Sequence, residues 1–267
     1  MKLTPSPVKV AALDAGLDVI QDPARSPALA GRLTVLEPDV AIVVAYGSIL
    51  PVSLLEIPPK GFVNLHFSLL PAYRGAAPVQ RSIMNGDPVT GVSAMVLTEG
   101  MDEGPVLARS EMAISPEDTS ATLGERLARV GADLLTTAIQ DYLAGRIDPE
   151  PQDDSRATYA PKVTGDDARI NWAAGAVEIR NLVQGLDPEP GAWTILRAGR
   201  VKVWRVTPTE HDGVLGPGEL AAAGDRLVVG TGAGMLSLDI VQPATKRRMS
   251  GAEFARGARL ETARFDD

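Results

Sequence analysis

Two polar side chains spaced to share a face are the first sign of chemistry in this chain. Asn64 and His66 stand in Gly61-Phe62-Val63-Asn64-Leu65-His66, and residues two apart on a strand project to the same side. At the exit of an apolar run such a pair is costly unless its members bond each other or serve a ligand. An Asn amide and a protonated His both donate hydrogen bonds, so the pair suits an oxygen that becomes negative during transfer at a carbonyl. A carboxylate beside the ring would keep it charged. Asp102 is the candidate, in the Gly-flanked turn Gly100-Met101-Asp102-Glu103-Gly104 that follows the strand-like run Val92 to Thr98. On spacing alone, a satisfied turn histidine beside an ordinary turn aspartate is favoured over a site.

The run Asn64-x-His66-x-Ser68-Leu69-Leu70-Pro71-x-Tyr73-Arg74-Gly75, followed by Asp102, resembles the signature of the formyltetrahydrofolate-dependent formyltransferases. Ala76-Ala77-Pro78-Val79-Gln80-Arg81, Glu117-Asp118-Thr119-Ser120, Tyr159-Ala160-x-Lys162, Ala168-Arg169-Ile170-Asn171-Trp172, and Gln242-Pro243-Ala244 to Met249 extend the likeness through the chain. The later motifs point to the branch acting on methionyl-tRNA. The resemblance implies transfer of a formyl group from 10-formyltetrahydrofolate, a co-substrate, to the amino group of methionyl initiator tRNA, for initiation of translation. Asn64 and His66 would hold the oxyanion. Asp102 would keep His66 protonated and help move a proton. The folate would lie along Ser68, Leu69, Leu70 and Pro71. No metal is implied. Two alternatives stay open: a related formyltransferase or hydrolase acting on a sugar nucleotide or on glycinamide ribonucleotide, and a catalytically silent tRNA- or folate-binding module.

The chain has 267 residues, enough for about two domains, with an ordinary 45% hydrophobic fraction. It has no cysteine, which excludes disulfides and thiolate catalysis and fits a reducing compartment. The longest apolar run, near Val40 to Tyr46, is too short to cross a bilayer, and no signal-peptide core opens the chain. A cytoplasmic monomer that engages no membrane is the expectation. The net charge of -8 argues against a general nucleic-acid binder. Residues 165–267 carry 13 Lys and Arg against 14 Asp and Glu, so the acidic excess lies almost wholly in the first 164 residues. Two basic clusters, Arg197, Arg200, Lys202 and Arg205, then Lys246-Arg247-Arg248, could meet phosphates. The second is the expected tRNA contact.

The elements that must position these residues alternate. Ser6 caps a helix that opens at Pro7 and stops at Gly16; Asp18 to Gln21 reads as a short strand, Pro27 to Leu36 as a helix. Val40 to Ala45 is continuously apolar and predicts a strand buried on both faces. A helical turn from Pro51 to Leu55, a strand from Gly61 to Leu65, a helix from Ala77 to Asn85 and a hairpin of Val92 to Leu97 with Val106 to Ile114 follow. Ser120 to Leu143 is one amphipathic helix with the stripe Leu123, Leu127, Leu134, Leu135, Ile139 and Leu143. The expected architecture is α/β, a Rossmann-like parallel-sheet domain over residues 1–145. A linker of 146–164 leads to an OB-like, tRNA-binding barrel at 165–267.

In that barrel Val177 to Gln184 is a helix, short strands run from Ala192 to Leu196, Val201 to Val206, Gly218 to Leu220, Arg226 to Gly230 and Met235 to Val241, and Phe254 to Leu260 closes the chain as a helix. Gly230-Thr231-Gly232-Ala233-Gly234 sits between two strands with no helix after it, so it predicts a hairpin turn, not a dinucleotide loop. His211, beside Asp212-Gly213, predicts a surface turn. The resemblance also implies a strand, helix, strand and basic loop ahead of Lys2-Leu3-Thr4-Pro5. Met1 is therefore expected to be an internal start, leaving the first domain incomplete and the product unstable and poorly active.

Overall fold

The computed structural model describes residues 4–197, 199–210, 213–258, 260 and 262–266; His211 lies outside them. Helices α1 (Pro7–Asp14) and α2 (Pro27–Leu36) begin at prolines behind the caps Ser6 and Ser26, whose side chains accept backbone N–H bonds from Lys9 and Ala28. Strand β1 (Ala41–Val44), the turn α3 (Val52–Leu55), strand β2 (Phe62–His66), helix α4 (Pro78–Met84), strands β3 (Val89–Val96) and β4 (Val106–Ala113), and helix α5 (Ser120–Leu143) complete the first unit. Asp18 to Gln21, expected as a strand, is irregular: no described strand offers that segment a partner.

The sheet runs in the order β1-β2-β3-β4. Only β1 and β2 are parallel; β2–β3 and β3–β4 are antiparallel, and the turn between β3 and β4 reverses the chain for the second pair. Val63, Leu65, Val92 and Ala94 meet Leu123, Leu127, Leu135, Ala138 and Ile139 of α5 in one buried cluster. Leu143, placed in that stripe by periodicity, is 43% exposed where the helix ends. Strand β1 corrects the expectation of double burial. It is an edge among the described residues, and Ile42 and Val44 are about half exposed while Val40 packs on the core.

The second unit is antiparallel. After helix α6 (Ala176–Gly185) come β5 (Ala192–Leu196), β6 (Gly199–Thr209), β7 (Glu219–Ala223), β8 (Arg226–Gly230), β9 (Met235–Pro243), β10 (Met249–Ser250), helix α7 (Gly251–Ala258) and β11 (Thr262–Arg264). The order β11-β7-β8-β9-β6-β5 curls until its two ends meet at one bridge between Ile195 and Asp266. Trp172 stacks on Phe265 inside, ring centroids 5.0 Å apart, and its indole N–H donates to Thr194 Oγ1 at 2.9 Å. A buried indole left without that partner would cost about 1–3 kcal/mol. The turn at Thr231 to Gly234 is the expected hairpin, and a Cβ on Gly232 would meet the Ala173 carbonyl at 1.8 Å, so only glycine fits. Helices α4 and α6 pack the two units together, aided by ion pairing of Arg81 with Asp167.

Among the described residues no helix is long and apolar enough to cross a membrane, and no three or more His, Asp or Glu are placed to hold a metal ion.

Candidate active site

The parallel pair β1–β2 ends where Tyr46 and His66 leave the sheet, the edge at which open α/β sheets place ligands. On β2, Val63 and Leu65 enter the core over α5, while Asn64 and His66 take the opposite side. They line a cleft of about 540 Å3, within the usual range for small-molecule sites. Its apolar wall includes Tyr46, Ile49, Leu50, Leu97 and Met101, and Asp102 stands on its rim.

Three residues distant in sequence thus converge. His66 is buried, with Nε2 2.9 Å from the carbonyl of Tyr73 and Nδ1 3.6 Å from Asp102 Oδ2. A carbonyl only accepts, so Nε2 carries hydrogen. Asp102 Oδ2 also accepts the Gly75 N–H at 2.8 Å. Among the described residues Asn64 neither bonds His66 nor has another side-chain partner, and its amide is free toward the cleft. The oxyanion role expected for both residues is therefore available from Asn64 directly, while the His66 Nε2 is held by the backbone.

The backbone is held in uncommon conformations here. Tyr73 (φ 60°) and Asp102 (φ 51°) are left-handed without being glycine, a conformation that persists where surroundings over-determine it. Those surroundings are on view for Tyr73. Its N–H donates to Thr158 Oγ1, its carbonyl meets His66, and its hydroxyl bonds Asp87 and Asn85 at the end of α4. Burial and the Asp87 carboxylate push its phenol up to about 12. Gly75 (φ 123°) approaches the chain so closely that a Cβ would lie 2.7 Å from the Ala160 carbonyl.

Ser68, Leu69, Leu70 and Pro71, expected to grip the folate, are not on the cleft wall. Ser68 and Leu70 are buried on the supporting side. Ser68 Oγ donates to Ala72 O, Ser93 Oγ donates to Ser68 O, Arg109 Nε donates to Leu70 O, and Leu70 packs on Met95 and Val106. The segment shapes the turn that presents Tyr73 to Gly75.

The linker of 146–164 does not hang between the units. Val106 and Glu150 exchange backbone hydrogen bonds, as do Arg74 and its partners Thr158 and Ala160. Gln152 reaches both site loops. Nothing in the Pro- and Asp-rich sequence around Gln152 marks that residue as part of a site.

The expected tRNA contacts separate. Lys246 is exposed and its ammonium has no partner among the described residues. Arg247 faces Glu253 at 3.7 Å. Arg248 lies 3.7 Å over the ring of Trp204, which Lys202 also approaches, and Arg200 and Arg169 flank Trp193. The result is one surface of alternating cations and indoles across β5 and β6. The spacing of Arg200 and Lys202 was readable in sequence; the indole stacking was not.

A family profile described as Formyl transferase matches residues 4–139, and one described as Formyl transferase, C-terminal domain, matches residues 162–259. A methionyl-tRNA formyltransferase of Streptomyces griseus is 44% identical over 97% of this chain and 84% of its own length. One of Rhodococcus erythropolis is 46% identical over the same shares. Among solved structures, HypX from Aquifex aeolicus in complex with tetrahydrofolic acid shares the fold at a TM-score of 0.68 and 20% identity, over 88% of this chain and 42% of its own. A methionyl-tRNA formyltransferase from Clostridium thermocellum does so at 0.55 and 21%, over 67% and 77%. Two domain profiles in the order found here, joined to this level of identity across nearly the whole chain, place the protein in the methionyl-tRNA formyltransferase family.

Proposed function

We propose that the protein transfers the formyl group of 10-formyltetrahydrofolate to the amino group of methionyl initiator tRNA, in the cytoplasm and without a metal. The single observation that carries this is the convergence of a free Asn64 amide, His66 and Asp102 on one cleft of ligand size. The neutral amine attacks the formyl carbon and the carbonyl oxygen becomes an oxyanion. Asn64 donates to that oxygen. His66 in its charged form has a hydrogen on each nitrogen, one opposite Tyr73 O and one opposite Asp102, and sets positive charge behind the oxyanion. Asp102 accepts the proton that the amine loses and passes it, directly or through water, to N10 as the C–N10 bond breaks and the folate leaves.

The folate occupies the cleft, its pterin against Ile49, Leu50 and Leu97, with Ser68 to Pro71 holding the turn behind it. Residues 1–145 form the catalytic unit and 165–267 the tRNA-binding barrel. The charged surface of Arg200, Lys202, Lys246, Arg247 and Arg248, two of whose guanidinium groups are braced on Trp193 and Trp204, meets tRNA phosphates, as cation-rich faces do. Formyl transfer is assayed with charged initiator tRNA, glycinamide ribonucleotide and an amino-sugar nucleotide in parallel. Turnover is expected with the tRNA; turnover only with a free nucleotide overturns the assignment.

A further inference from the structure

We propose that Gln152, in the segment between the two units, is a positioning residue for Asp102. It rests on the assignment of Asp102 as the carboxylate of the transfer reaction. The side-chain amide of Gln152 uses every hydrogen bond it can make with one orientation. Its NH2 donates to the Asp102 carbonyl at 2.8 Å and to the Gly104 carbonyl at 2.7 Å. Its Oε1 accepts from Arg74 Nε at 3.0 Å and Nη2 at 2.8 Å. The flipped amide would set its NH2 against a guanidinium and its oxygen against two carbonyls, so the assignment is fixed by the partners.

Each end of this brace holds a strained point of the site. Asp102 and Tyr73 have left-handed backbones, and Arg74 follows Tyr73 directly. The Arg74 guanidinium is 4% exposed, and among the described residues its one anionic partner is Asp154 of the same segment, at 2.7 Å. A buried cation needs such partners. Without Gln152, the polar contacts that join the turn after β3 to the turn after β2 among the described residues are the Gly75 N–H bond to Asp102 and the His66–Asp102 contact at 3.6 Å. The carboxylate then loses the anchor of its own backbone, and displacements near 1 Å are enough to cost large factors in rate.

Formyl transfer by full-length Gln152→Ala and Gln152→Glu tests this at saturating substrates, below their melting temperatures. Gln152→Glu retains the oxygen that Arg74 needs and removes both donors to the Asp102 turn, which keeps a folded probe in hand if the alanine variant melts. Both variants are expected to lower kcat by about tenfold to a hundredfold, with KM for 10-formyltetrahydrofolate and cooperative melting retained. In an Asp102→Asn background, Gln152→Ala should cost less than about threefold more, because residues acting as a unit are not additive. Unchanged kcat in Gln152→Glu, or full additivity with Asp102→Asn, overturns the proposal. A wild-type protein that transfers no formyl group to tRNA instead overturns the functional assignment beneath it.

Discussion

His66 and Tyr73 are joined at 2.9 Å, imidazole Nε2 to backbone carbonyl, although Tyr73 comes seven residues later in the chain. The bond fixes the ring edge-on to Asp102 and leaves the adjacent Asn64 as the unpartnered donor in the cleft. The three polar residues are therefore expected to fail differently when replaced.

For His66→Ala and Asp102→Asn, turnover should fall about a hundredfold or more, the scale of lost transition-state electrostatics. The folate KM should move far less, since the apolar cleft wall is untouched. Steady-state kinetics with charged initiator tRNA checks both; near-normal turnover in the two variants rejects the mechanism.

Asn64→Ala should be similarly slow yet as stable as the wild type to within about 0.5 kcal/mol, because no protein hydrogen bond is lost. Denaturant melts beside the kinetic assay separate the two effects. A stability loss as large as that of a buried, bonded residue would show that Asn64 has a structural partner.

Replacing Lys246, Arg247 and Arg248 by Ala should weaken tRNA binding and flatten its salt dependence by roughly one unit of log–log slope per lost phosphate contact. Arg247 and Arg248 each face a carboxylate at 3.7 Å, Glu253 and Asp187, and Arg248, already held against Trp204, has less side-chain freedom to lose and should contribute more. Titrations at several salt concentrations give the slopes. Identical slopes in variant and wild type leave these residues facing solvent.

Tyr73 yields a pH prediction. Its phenol is raised from 10.0 to about 12 in the fold, chiefly by burial and then by Asp87. A group whose folded value lies above its unfolded value stabilises fully below the unfolded value and loses that contribution as pH climbs through the folded one. The stability gap between wild type and Tyr73→Phe should hold constant below pH 10 and close toward 12. Denaturation curves across that range measure it, and a gap that widens instead would reverse the sign of the shift.

The sequence by itself determined whatever depends on near neighbours. Ser6-Pro7 and Ser26-Pro27 start helices because a hydroxyl reaches amides two or three residues ahead. The stripe of Ser120 to Leu143 is a helix of those same bounds because its period lies in the chain. The grouping of Asn64, His66 and Asp102 was legible only through the family resemblance, since spacing alone favoured ordinary turn residues. Tertiary structure decided the rest. Val40 to Ala45 looks doubly buried from composition, but burial depends on which strands flank β1, and that is a property of the sheet. Ser68 to Leu70 turned from the cleft because the turn after β2 folds back on Ser93, Met95 and Val106, contacts 25 to 36 residues distant. Gln152 lies 78 residues from Arg74 and 50 from Asp102. No local period or cap records such a pair, since a hydrogen bond across that separation exists only once both ends of the chain have been brought to one place.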